Sequence, residues 1–208
     1  MEQSARPARP QSEAHELVAV ILLSLVAVLT AWCGFEASKW GGDSSVAFSE
    51  ASAARIEAAD FDSQARDARG FDLAVYSQWV VAQAGGDTAL AAYIEDRFSP
   101  EFAVAFDAWV ADGQRETGPF KMPEYVPPGT EQAAEATARA DASTKDALDF
   151  NEKGDNYSLM TVMFALVLFL AAIAQRGTSV IATRIVLGLA GTLALIGLVV
   201  LFTFPIRV

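Results

Sequence analysis

One cysteine and one histidine are all that the 208 residues contain of the two side chains most used in metal sites and nucleophilic catalysis. Cys33 alone forms no disulfide within the chain and anchors no cysteine-based metal site, and His15 has no second histidine to pair with. Period-2 alternation is missing, which excludes half-buried strands, and no repeat appears at the roughly 20 to 50 residue periods of solenoids. A glycine loop of the phosphate-binding kind is absent as well. Charge is missing in blocks: residues 17–35, 158–175 and 185–203 contain no Asp, Glu, Lys, Arg or His.

Those blocks are 19, 18 and 19 residues long. A helix needs about 20 predominantly apolar residues to cross the hydrocarbon core of a bilayer, so each is read as a transmembrane helix. The first is read as a retained anchor and not a secretory signal, because its apolar core is long and no clean small-x-small site follows it.

The rest of the charge is uneven. The net charge is −11, yet residues 36–157 hold 10 of the 15 basic and 23 of the 26 acidic residues. An acidic surface of that size repels phosphates, so no nucleic-acid partner is expected. Arg6 and Arg9 precede the first span, and Arg176 and Arg184 flank the short connection between the second and third. Basic residues near span ends favour the cytoplasmic side, whereas long loops translocate largely regardless of charge. The expected topology is a cytoplasmic tail (1–16), spans at 17–35, 158–175 and 185–203, and a cytoplasmic loop at 176–184. Residues 36–157 form an extracytoplasmic domain and 204–208 an outer C-terminal tail. Trp32 and Trp40 bracket the outer end of the first span and are expected as interface anchors among the membrane lipids.

Within the outer domain the pattern is helical. A helix is expected from Asp43 to Ala84, with Asp43 and Ser44 as capping candidates after Gly41-Gly42. Ala47, Ala51, Ala54, Ala58, Phe61, Ala65 and Ala68 recur at steps of four and three, and Val75, Trp79 and Ala82 continue the series. Asp72 interrupts this seam, and Gly70 is expected to loosen it. A second seam runs Ala133, Ala136, Ala140, Ser143, Ala147, Phe150, Gly154, Tyr157, straight into the second span. Alanine seams let helix axes approach closely, so the two helices are expected to pack antiparallel as extensions of the first two spans. Between them, Asp87 caps a helix reaching about Arg97, and Ser99-Pro100-Glu101 starts another that reaches about Ala111. Phe98, Phe102, Phe106 and Trp109 mark its apolar face. Gly118-Pro119, Pro123 and Pro127-Pro128-Gly129 punctuate a loop read as irregular, with Phe120, Met122, Tyr125 and Val126 clamping it down. The fold class is all-α: three transmembrane helices with a large extracytoplasmic helical domain.

Catalysis needs a nucleophile with its base, a metal set, or paired carboxylates in a cleft. His15 lies beside Glu13 and Glu16 in the tail, and Cys33 lies within a span, where a small packing residue is the default. Asp60-x-Asp62-x-Gln64 has the opening spacing of a calcium loop but lacks the glycine at the sixth position and the glutamate at the twelfth, which is Phe71. No catalytic residue, metal or cofactor is expected, and the chain is read as non-enzymatic. Small residues cluster on one face of the first span (Ser24, Ala27, Ala31, Gly34) and one face of the third (Gly188, Gly191, Thr192). Such faces pack helices closely in a membrane, within a chain or between chains.

Six stretches together resemble a family of uncharacterised bacterial three-span membrane proteins with a helical outer domain. They run from Ala31 to Gly41, Phe48 to Ala53, Tyr76 to Trp79, Arg97 to Phe102, Phe106 to Trp109, and Phe120 to Tyr125. The resemblance implies a bacterial inner-membrane location and the same topology, and brings no activity with it. Two functions remain open. One is a structural or interaction subunit that self-associates or joins other membrane protein subunits. The other is a homo-oligomeric ion channel with a largely hydrophobic pore, in which Glu36 and Asp43 are outer-mouth acids that concentrate cations. In the first reading, Glu36 pairs with Lys39 at the interface.

Overall fold

The computed structural model describes residues 10–176 and 179–207, with side chains from residue 17 onward. Arg6, Arg9 and Thr178 lie outside the described residues, as do the side chains of Glu13, His15 and Glu16. Among the described residues the protein is all-α: α1 (Pro10–Ala84), α2 (Thr88–Glu95), α3 (Pro100–Ala111), a single 3-10 turn (Pro119–Lys121), α4 (Thr130–Gln175) and α5 (Val180–Leu201). Three of these helices, α1, α4 and α5, are long and apolar enough to cross a membrane. The chain divides into two compact units, one of Met1–Ala47 with Lys145–Val208 and one of Phe48–Thr144.

Helix α1 is continuous over 75 residues, through Gly41-Gly42 and Gly70, where a new start and a loosening were expected. A glycine inside a helix costs about 1 kcal/mol relative to alanine, so local propensity favours a break there. Tertiary contacts override it. The Ser44 hydroxyl caps nothing and instead donates to the Ala147 carbonyl of α4 at 2.8 Å. A Cβ on Gly154 of α4 would lie 3.4 Å from the Ala37 carbonyl oxygen and 3.6 Å from the Gly41 nitrogen. The backbones of α1 and α4 approach closely here because small residues face each other.

In the first unit, α1 buries a strict seven-residue series, Ala19, Val26, Cys33, Trp40 and Ala47. Opposite it α4 buries Tyr157, Met160, Phe164, Val167, Ala171 and Ala174, and α5 adds Ala190, Ala194 and Gly197. Gly197 carries the tightest contact: a Cβ there would run into Met163 Cε and lie 2.8 Å from Phe164 Cε1. The outward faces are apolar too, with Val28, Phe169, Ile181 and Val199 all more than half exposed. Apolar side chains on both faces suit a helix surrounded by lipid.

Helix α5 begins at Val180, ahead of the expected start at Ile185, so Arg184 lies on the helix and not in a loop. It ends at Leu201, leaving Thr203 beyond it.

In the second unit the expected α1 seam is buried or half-buried at every named position from Ala51 to Ala82, and Asp72 is buried within it. The α4 seam packs against it antiparallel: Arg55 donates to Thr144 Oγ1 at 3.0 Å, and Arg139 pairs with Glu57 at 2.9 Å. The Asp87 carboxylate accepts from the Leu90 N–H and the Ser99 hydroxyl from the Phe102 N–H, as N-caps do. Helix α2 stops two residues short of the expected Arg97. Phe102, Phe106, Trp109 and Trp79 form the core with Tyr125. The loop read as irregular includes the 3-10 turn. Phe120 and Met122 pack onto this core, but Val126 is exposed, a correction to the expected clamp. Asp62 pairs with Arg66, and Gln64 donates to Asp60 at 3.0 Å, along the surface of α1.

Candidate functional site

The seven-residue register of α1 continues past its uncharged stretch, so the first carboxylate after the span faces inward. Glu36 is fully buried, between the buried Cys33 and Trp40. An isolated buried carboxylate is costly, and the cost falls only when hydrogen bonds satisfy it. The expected partner, Lys39, is not the one that answers it. Oε2 of Glu36 accepts from the backbone N–H of Arg207 at 3.0 Å.

The chain returns to Glu36 because α5 ends at Leu201 and Pro205 prevents the helix from resuming. Three contacts then fix the C-terminal segment. The Phe204 ring meets Tyr157 edge-on at 5.3 Å, and the Tyr157 hydroxyl donates to the Pro205 carbonyl at 2.9 Å. Nε of Arg207 lies 3.1 Å from Asp43 Oδ2. The guanidinium carbon also stands 5.1 Å from the Trp40 ring centroid and 5.4 Å from that of Phe150.

Polar satisfaction is incomplete beneath this clasp. Oε1 of Glu36 and Nε1 of Trp40 are buried with no hydrogen-bond partner among the described residues. The side chains gathered here are two carboxylates, a phenol, an indole and a guanidinium, a set suited to holding a peptide segment or a cation. Among the described residues, no three His, Cys, Asp or Glu side chains converge as a metal set.

The remaining sequence-predicted residues fall elsewhere. Ser24, Ala27, Ala31 and Gly34 are exposed, turned away from the core that Val26 and Cys33 build. Gly188 and Thr192 are exposed as well, and Gly191 is half-buried. A Cβ at Gly34, Gly188 or Gly191 would meet nothing within 4 Å. The close approach of α5 runs through Gly197, which the sequence reading missed because the residue is a lone glycine outside that face. Trp32 is partly exposed, whereas Trp40 is a core residue and not a ring turned to the headgroups. Arg207 was missed too. Its signal was slight: it is the only charged side chain after Arg184 and it stands two residues after Pro205.

A second polar feature lies in the other unit. The Tyr125 hydroxyl donates to Asp72 Oδ2 at 2.9 Å, while Asp72 Oδ1 has no partner among the described residues. An open, mainly apolar groove of about 890 Å³ runs between α1 and α2, past Phe71, Val81, Leu90 and Tyr93.

No protein family, curated protein or solved structure matches the chain. The fold and the spans define the class: an all-α chain with three candidate membrane spans.

Proposed function

We propose that the chain is a non-enzymatic integral protein of a bacterial inner membrane, presenting residues 36–157 outside the cytoplasm and associating with further copies or other membrane subunits. The observation that carries this reading is the outward face of Ser24, Ala27, Ala31 and Gly34, which folding of the single chain leaves uncovered. Small residues facing lipid make little use of their size, whereas against another helix they permit close backbone approach. Clustering of Glu36, Tyr157 and Arg207 supports the topology, since it joins the ends of all three spans that are expected on one side. The channel reading loses its main support. Glu36 is buried against the segment that carries Arg207, so it does not face a pore mouth, and Asp43 has Arg207 beside it.

Native mass measurement after gentle solubilisation tests the proposal. Two or more chains, or one chain with a stoichiometric foreign subunit, are expected, and Ala27→Leu with Gly34→Leu should dissociate the assembly. A monomer that brings no other chain with it would reject the reading.

A further inference from the structure

The Arg207 side chain rests against an aromatic pair and a carboxylate, the chemistry of an organic-cation receptor. Trp40 and Phe150, one from α1 and one from α4, place their ring centroids 5.8 Å apart. The guanidinium carbon lies 5.1 and 5.4 Å from those two centroids, and Asp43 supplies a carboxylate oxygen 3.1 Å from Nε. Aromatic faces attract cations through the ring quadrupole, and a carboxylate adds a charge-assisted hydrogen bond. The Lys153 ammonium lies 4.9 and 5.6 Å from the same two centroids, so this aromatic pair meets two cations. Close by, Glu36 Oε1 and Trp40 Nε1 are polar, buried and without a partner among the described residues.

The occupant is not sealed in. The Arg207 side chain is 46% exposed and that of Asp43 is 37% exposed. An ion pair in such a position is screened by solvent and exchanges readily. What keeps Arg207 in place is the short connection from Leu201, which makes binding intramolecular with an effective concentration in the millimolar range.

We propose that Trp40, Asp43 and Phe150 form a receptor for a guanidinium-type cation, which Arg207 occupies in cis as a displaceable resident ligand. The C-terminal segment is then a latch, and the receptor becomes available when the latch is lifted. This holds whether or not the chain associates with others.

Chemical rescue in the full-length protein tests it. Arg207→Ala removes the guanidinium, leaving Lys153 as the remaining cation beside the rings, while keeping the backbone N–H that Glu36 accepts from, and its Tm should fall by about 2–4 °C. Methylguanidinium in the millimolar range should raise the Tm of Arg207→Ala in a saturable manner. It should not stabilise wild type, whose receptor is filled, nor Arg207→Ala/Asp43→Asn, which lacks the carboxylate. If Arg207→Ala melts like wild type, or if methylguanidinium shifts all three proteins alike, the receptor does not exist. Should the alanine variant fail to accumulate, Arg207→Met retains the alkyl stem and is read in the same way.

Discussion

Asp72 and Tyr125 show what one polar pair does inside an apolar seam. The carboxylate replaces an apolar residue on the buried face of α1, and the phenol reaches it from the loop before α4. Burial, then the hydrogen bond to Asp72, then the negative charge of that carboxylate push the Tyr125 hydroxyl well above the ordinary tyrosine range. Burial also raises Tyr76. The folded state therefore favours the protonated phenols. Their contribution to stability is intact below the unfolded value near 10 and is lost as the pH rises from there toward the folded values. Thermal melts between pH 8 and about 11.5 should show Tm falling above about pH 10. Tyr125→Phe should flatten that fall in part, with Tyr76 and Tyr157, both raised by burial, accounting for the remainder. At neutral pH the same variant leaves Asp72 with no donor from Tyr125, at a cost of roughly 1–3 kcal/mol. A Tyr125→Phe protein with the wild-type melting profile at every pH would show that the pair contributes nothing.

At the scale of elements, the α1 and α4 seams were legible because alanine recurrence at steps of three and four encodes a buried face directly. Their consequence can be measured. Ala140 is 1% exposed, and Ala59, one step off the α1 seam, is exposed. Ala140→Leu should overpack the helix pair and cost about 1–3 kcal/mol, whereas Ala59→Leu should stay within about 0.5 kcal/mol of wild type. Denaturant unfolding of both variants in the same detergent makes the comparison, and equal midpoints would argue against close seam packing. Helix ends were less legible. Asp87 and Ser99 cap where their residue types say they should, because an N-cap is a local hydrogen bond. Gly41-Gly42-Asp43-Ser44 has the same local appearance and yet lies inside a helix, because Gly154 and Ala147 of α4 pack against it.

For the whole molecule, the expected arrangement follows from basic residues at span ends, of which Arg176 and Arg184 are among the described residues. Single cysteines at Thr117 and Ser179, both exposed, test the orientation in a Cys33→Ala background. A membrane-impermeant thiol reagent applied to intact cells should label position 117 and spare 179. Labelling of 179 alone would invert the topology. The sequence by itself determined the three apolar helices, the all-α class and the alanine seams, because span length and 3.6-residue periodicity are local properties that survive without tertiary contacts. Which face of the first span turns inward was decided only by packing: Ala19, Val26 and Cys33 fit against the neighbouring helices, while the face of Ser24, Ala27, Ala31 and Gly34 is left outside. The clasp at Glu36 was beyond local reading altogether. Its partner lies 171 positions away and binds through a backbone N–H, a group every residue but proline has, so only the return of the chain beside Trp40 selects it.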